Sequence, residues 1–275
     1  MTYATLMVHL ELGSSNKSVL QIAGDLATQF NARVIGIAAG QPMQMVYSSG
    51  LLPGEICTQD RDEITKELHD AEAEFKRVLE PRSINISWRS AVTYEPLSEY
   101  LAIQSRCADL VITRTARVDI FDASRAVATA DLVMRLGRPV LVVPSDERHL
   151  ILKRVLVCWK DTREARRAVF DALPILKQAA QVTILEIADE KEMSAAHMRI
   201  VDVVDWLEQH GVVATPVVLP STGDDTQALC TAAQSQNADA IVAGAYGHSR
   251  LREWVLGGVT RDLLLSDDRC SLLSH

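Results

Sequence analysis

The sequence predicts an α/β protein built from two successive halves, each a parallel sheet of five strands with helices on both faces. Three observations predict it. Short apolar runs of strand length alternate with stretches of helical spacing along the whole chain. The same order of elements then occurs a second time, after a short polar stretch from Pro144 to His149. Two landmarks recur in that order. Val34 in Ala-Arg-Val answers to Val182 in Ala-Gln-Val, and Ala108-Asp109 answers to Ala238-Asp239. The interval between landmarks is shorter in the second pass. The difference is about the length of an extra irregular stretch, Gly40 to Gln59, in the first. Domains are therefore expected at 1–146 and 151–275.

The bulk properties agree. A chain of 275 residues is long enough for two small domains, each with its own core. Hydrophobic residues at 48% and charged residues at 23% are ordinary for a globular protein. A formal charge of −8 argues against a non-specific nucleic-acid surface. No apolar run reaches the length of a membrane span, so no membrane association is expected. No basic residue precedes Lys17, so no signal peptide is expected. The five cysteines are far apart and form no C-x-x-C, which suits a reduced cytoplasm. Cys107, Cys158 and Cys230 lie in or beside apolar runs and read as buried, inert thiols.

In the first half, Thr5–His9 is a strand, and Ser14 or Ser15 caps a helix whose apolar face is Val19, Ile22, Ala23, Leu26, Ala27 and Phe30. Ala32–Ala38 is the second strand. Gly40–Gln59 follows, with Pro42, Gly50, Pro53 and Gly54 among apolar residues such as Met43, Tyr47 and Leu51; a loop this long is usually functional. Asp60 with Glu63 resembles a capping box for a helix with Ile64, Leu68, Ala71, Phe75 and Val78 on one face, closed by Pro81. Ser83–Arg89 alternates as a strand does, Pro96 opens a helix to about Arg106, and Ala108–Thr113 is a strand. Arg114–Asp122 is a loop, Ser124 caps a helix to about Leu136, and Pro139–Val143 is the last strand.

The second half repeats this. Lys153–Trp159 is a strand. Asp161 or Thr162 caps a helix with Ala165, Ala168, Val169, Ala172, Leu173 and Leu176 on one face and Pro174 near its end. Gln181–Ile187 is a strand, Met193–His210 a helix and Val212–Leu219 a strand. Asp224 or Asp225 caps a helix to about Gln236, and Asp239–Ala243 is a strand. A glycine-bearing loop from Gly244 leads into a helix over Val259–Leu265, and Ser271–Ser274 is the final strand. Glycines at a strand end let backbone N–H groups approach a ligand, and the N-terminus of the next helix favours negative charge. In parallel sheets ligands bind where the strand order reverses. With the order 3-2-1-4-5, the first and fourth strands border that point. In the second half they end at Trp159-Lys160-Asp161 and at Gly244.

Gly244, Gly247 and Gly257, spaced Gly-x2-Gly-x9-Gly after an apolar strand, resemble the ATP-binding loop of universal stress proteins. The whole chain resembles a tandem member of that family. The resemblance implies two flavodoxin-like, HUP-type domains of order 3-2-1-4-5, and ATP or AMP as ligand with no cofactor required. It implies a site from Lys160, Asp161, Gly244, Gly247, His248, Gly257, Gly258 and Thr260. Two positions depart from the family pattern. Gly258 stands where a Ser or Thr contacts phosphate, with Thr260 the next hydroxyl, and Lys160 stands where an Asp contacts adenine. For Asp161 the simpler reading is a helix cap. The first half has no glycine between Thr113 and Asp122, so its site is degenerate, although Arg114 and Arg117 could hold an anion.

Catalytic constellations are absent: there is no G-x-S-x-G and no H-E-x-x-H. Carboxylate pairs such as Asp60/Asp62 and Asp224/Asp225 sit at helix starts, where capping explains them, and no metal site is expected. The expected function is that of a cytoplasmic stress-response protein, not an enzyme. It binds an adenine nucleotide weakly in its second half and acts as a sensor or interaction module for a protein partner. The alternative is a stress-linked protein that binds no nucleotide and takes an apolar ligand or a protein through 40–59. The fifth strands of the two halves are expected to meet edge to edge as an intramolecular pseudo-dimer, with a homodimer of chains as a further expectation.

Overall fold

The structure, a computed structural model, describes residues 2–43, 54–115, 124–145, 149–150, 152–245 and 269–275. The strands of the first half are β1 (Thr5–His9), β2 (Arg33–Gly40), β3 (Ile86–Val92), β4 (Leu110–Arg114) and β5 (Val140–Val143). Its helices are α1 (Lys17–Phe30), α2 (Gly54–Leu79), α3 (Leu97–Gln104) and α4 (Thr129–Arg135). The second half has strands β6 (Arg154–Trp159), β7 (Gln181–Ala188), β8 (Ala214–Pro220), β9 (Ala240–Gly244) and β10 (Cys270–Ser274). Its described helices are α5 (Arg163–Leu176), α6 (Met193–Gln209) and α7 (Asp225–Ser235).

All ten strands form one sheet in the order β3-β2-β1-β4-β5-β10-β9-β6-β7-β8. Within each half every pairing is parallel, and the expected order 3-2-1-4-5 holds in both. The halves meet, as expected, along their fifth strands. β5 and β10 pair antiparallel, with Val142 opposite Ser271, Leu141 opposite Leu272 and Val140 opposite Leu273. Every residue of both strands is buried. Side-chain bonds tie the halves further. Tyr3 Oη donates to the Asp171 carbonyl at 2.7 Å, and Arg167 Nη2 donates to the Gly137 carbonyl at 3.0 Å.

The repeated Ala-Asp landmark has a structural cause. The Asp109 carboxylate accepts from the N–H groups of Ala4 and Thr5, at 2.8 and 2.9 Å, as the chain enters β1. Asp239 does the same for Lys153 and Arg154, at 3.1 and 2.7 Å, ahead of β6. Each Asp thus satisfies two backbone donors that a strand start leaves open, and it pins strand 4 beside strand 1.

Several element boundaries differ from the sequence reading. α2 begins at Gly54, so Asp60 lies inside it; the Asp60 carboxylate is buried and engaged elsewhere, and the capping-box reading is corrected. Asn16, not Ser14 or Ser15, precedes α1, and its side chain folds back onto the Glu11 N–H and carbonyl. α4 starts at Thr129, five residues after Ser124, whose carbonyl instead accepts from Gln41 N–H at 2.8 Å. β3 begins at Ile86 rather than Ser83, because Ser83 takes a left-handed turn at φ 57°. Pro174 lies in the last turn of α5, where it removes the bond the Phe170 carbonyl would accept, and the helix ends two residues later. The apolar stretch 44–53, the Arg117 loop and the helix expected over 259–265 lie outside the described residues.

His9, the last residue of β1, is 2% exposed, and its Nδ1 lies 3.1 Å from Thr113 Oγ1 at the end of β4. Burial lowers its pKa from 6.5 to about 4, so the folded protein holds it neutral. The unfolded chain takes up a proton below 6.5 that the folded chain refuses until about pH 4. The stability His9 contributes is therefore complete above 6.5 and is lost as pH falls toward 4. Denaturant unfolding at about pH 7.5 and pH 4.5 should show the wild type losing about 2–3 kcal/mol more than His9→Gln. Equal losses in both proteins would refute the assignment.

Candidate functional site

The strand order reverses between β1 and β4 in the first half and between β6 and β9 in the second, so each half has a crevice at those carboxyl ends. In the first half the Ser124 carbonyl accepts from Gln41 N–H at 2.8 Å, which places Ser124 beside the carboxyl end of β2. Next to it, Arg125 pairs with Asp60 at 2.8 Å and Glu67 at 3.2 Å, both on α2. Burial alone would raise the Asp60 carboxyl, but the Met43 N–H and the Arg125 guanidinium outweigh it and hold the group below its usual range. Arg114, a candidate anion ligand, pairs with Glu11 at 3.4 Å and also reaches the Ser15 carbonyl and Ser145 Oγ.

The second-half crevice is built differently. β6 and β9 pair as far as Cys158 opposite Ala243, which brings Trp159-Lys160-Asp161 and Gly244 to neighbouring strand ends. Of the expected site residues, these three (Lys160, Asp161 and Gly244) are described. Gly247, His248, Gly257, Gly258 and Thr260 lie outside the described residues. Lys160 is exposed, and its carbonyl accepts from Thr162 N–H. Asp161 does not cap α5; Thr162 does, accepting from Ala165 N–H at 3.3 Å, and Asp161 pairs with Arg166 at 2.6 Å. The Asp161 cap reading is thus corrected, because the hydroxyl one residue later already stands at the helix start.

Gly244 has a packing role that the sequence reading did not assign. A Cβ there would come within 2.4 Å of the Ala165 nitrogen and 2.5 Å of the Glu164 carbonyl carbon. The start of α5 therefore lies directly against the β9 backbone. The Glu164 carboxylate is buried in that first turn, hydrogen-bonded to Arg163. Burial raises its pKa, but the Arg163 bond and its own backbone N–H prevail and keep it lowered. An acid thus already occupies the electropositive end of α5. Cys158, beside this point, has its thiol pushed up to about 12 by burial, in keeping with an inert cysteine.

A second feature lies on the flank of the same half. α5 packs over β9 and β10, α6 packs over β7 and β8, and the two helices barely touch. Between them is a cavity of about 480 Å³, lined by Trp159, Asp161, Arg166, Val169, Phe170, Arg199, Asp202, Val203 and Trp206. In the first half α2 packs directly on α1. The sequence reading missed this cavity. One signal was present: Phe170 falls outside the apolar stripe of α5 yet is large and aromatic. Among the described residues there is no cluster of acidic, His and Cys side chains suited to a metal, and no helix long and apolar enough to cross a membrane.

A doubly wound parallel sheet whose strand order reverses once in each half defines the class: an α/β protein of the flavodoxin-like type. The universal stress protein family model matches residues 152–266, in the second half of the chain. The fold of the whole chain is shared with solved structures. A universal stress protein from Archaeoglobus fulgidus DSM 4304 aligns over 98% of this chain and 95% of its own, with a TM-score of 0.75 and 14% identity. A functionally unknown protein from Pseudomonas aeruginosa PAO1 aligns over 99% and 92%, with a TM-score of 0.66 and 12% identity. No curated protein sequence matches the chain significantly.

The geometry at Gly244 predicts the effect of a single methyl. Because the obstructing atoms are backbone, they cannot rotate away, and Gly244→Ala should cost about 1–3 kcal/mol. A thermal melt should record this as a lowered midpoint without any ligand present. An unchanged midpoint would show that Gly244 is not needed for packing.

Proposed function

We propose that this chain is a cytoplasmic stress-response protein that binds an adenine nucleotide, ATP or AMP, at one site in its second half and signals through a protein partner. The reading divides the chain into domains at 1–146 and 151–275, the first serving as a structural counterpart. A homodimer of whole chains belongs to the same proposal. Lys160, Asp161 and Gly244 form one side of the site, and Gly247, His248, Gly257, Gly258 and Thr260 the phosphate loop. The observation that carries the reading is the contrast between the two crevices. In sequence the first has no glycine between Thr113 and Asp122, and Arg114 and Arg125 beside it are taken up by ion pairs, whereas β9 ends at Gly244 and is followed in sequence by Gly247 and Gly257. Binding is weak because Gly258 offers no hydroxyl where the family has one. A hydrogen bond to a charged group is worth about 1.5–3 kcal/mol, or roughly ten- to a hundred-fold in affinity.

Titration calorimetry with ATP and with AMP tests the proposal. Binding is expected at no more than one molecule per chain and should be lost in Gly247→Val. Two equivalent sites per chain would refute the asymmetry, as would unchanged binding in the variant. No heat with any adenine nucleotide would refute nucleotide binding itself.

A further inference from the structure

We infer that the cavity between α5 and α6 is a binding site for a small organic cation, a substituted ammonium. This site does not depend on the nucleotide reading, since its walls are the flanks of two helices and its floor is β6.

Size and lining set the class. A cavity of about 480 Å³ is that of a small-molecule site. Three aromatic side chains line it: Trp159 from β6, Phe170 from α5 and Trp206 from α6. Phe170 is 42% exposed and Trp206 37%, so a ligand entering from solvent meets their faces. Trp206 is held by the His210 ring, with centroids 4.3 Å apart, which limits the freedom it would lose on binding.

The charges decide the sign. Both arginines in the lining are already matched: Arg166 by Asp161 at 2.6 Å, and Arg199 by Glu186 at 2.6 Å and Glu192 at 3.8 Å. Asp202 lines the cavity and has no ion pair among the described residues. Four carboxylates thus surround two guanidinium groups, which favours a cation over an anion. Indole and phenyl faces attract a soft cation through their quadrupoles, best when its charge is spread over methyl groups rather than tightly hydrated.

Trp159 is 9% exposed and closes the cavity on the β6 side. Behind Arg199, Glu186 is 3% exposed and has one carboxylate oxygen bonded to the guanidinium and the other without a partner. In the first half α2 packs on α1 instead, and the Phe75 and Trp88 rings, 5.4 Å apart, fill the space above Gly36.

The test uses the full chain and a matched pair of probes: benzoylcholine, and 3,3-dimethylbutyl benzoate, in which carbon replaces the quaternary nitrogen. Calorimetry should show benzoylcholine binding, with the neutral isostere about ten-fold weaker or worse. Asp202→Asn and Trp206→Ala, both at exposed positions, should each weaken benzoylcholine about ten-fold while leaving the melting midpoint unchanged. The Trp159 indole N–H resonance should shift on saturation. Equal affinity for both probes would reduce the cavity to an apolar cleft and overturn the inference. Unchanged binding in both variants, or no binding at about 10 mM benzoylcholine, would overturn it as well.

Discussion

The pairing of β5 with β10 is the contact on which the rest of the architecture depends. Each half ends in a strand whose residues are all buried, so neither could leave that strand at an open edge facing water. Antiparallel pairing closes both edges at once and turns two five-stranded sheets into one of ten. Because strands are parallel within each half and antiparallel across the join, the carboxyl ends of the two halves point in opposite directions. The two crevices therefore open at opposite ends of the sheet, and no ligand could bridge them.

The fold was largely legible because it rests on periodicity. Strand-length apolar runs and helical stripes found nine of the ten strands within about two residues at their starts; a chirality rule restricted their order, and the family resemblance supported 3-2-1-4-5. The strand that shifted more, β3, did so because Ser83 takes a left-handed turn that nothing in its side chain announces. Caps were less legible. Asp60, Ser124 and Asp161 each carry a good capping chemistry, yet each side chain is engaged elsewhere, the first two by Arg125 and the third by Arg166. A capping residue is defined by where the chain turns, and tertiary partners decide that. The flank cavity was not legible, since it arises from the spacing of α5 and α6, and Asp202 and Trp206 read alone as ordinary surface residues.

The two halves use equivalent spaces for different ends. In the first half α2 packs on α1 and closes the flank, and the partly buried Arg125 is matched by two carboxylates of α2. In the second half the flank between α5 and α6 stays open as a cavity of about 480 Å³.

The join also has a consequence for how the protein is made. β5 emerges from the ribosome long before β10, which is the last strand in chain order. Throughout that interval the first half carries Val140-Leu-Val-Val143, four apolar residues of high strand propensity, with one side of its backbone unpaired. A second nascent chain on the same messenger presents an identical edge. Correct assembly is then a race between intramolecular closure by β10 and capture by a neighbour, so the rate at which the second half folds sets the yield of the first.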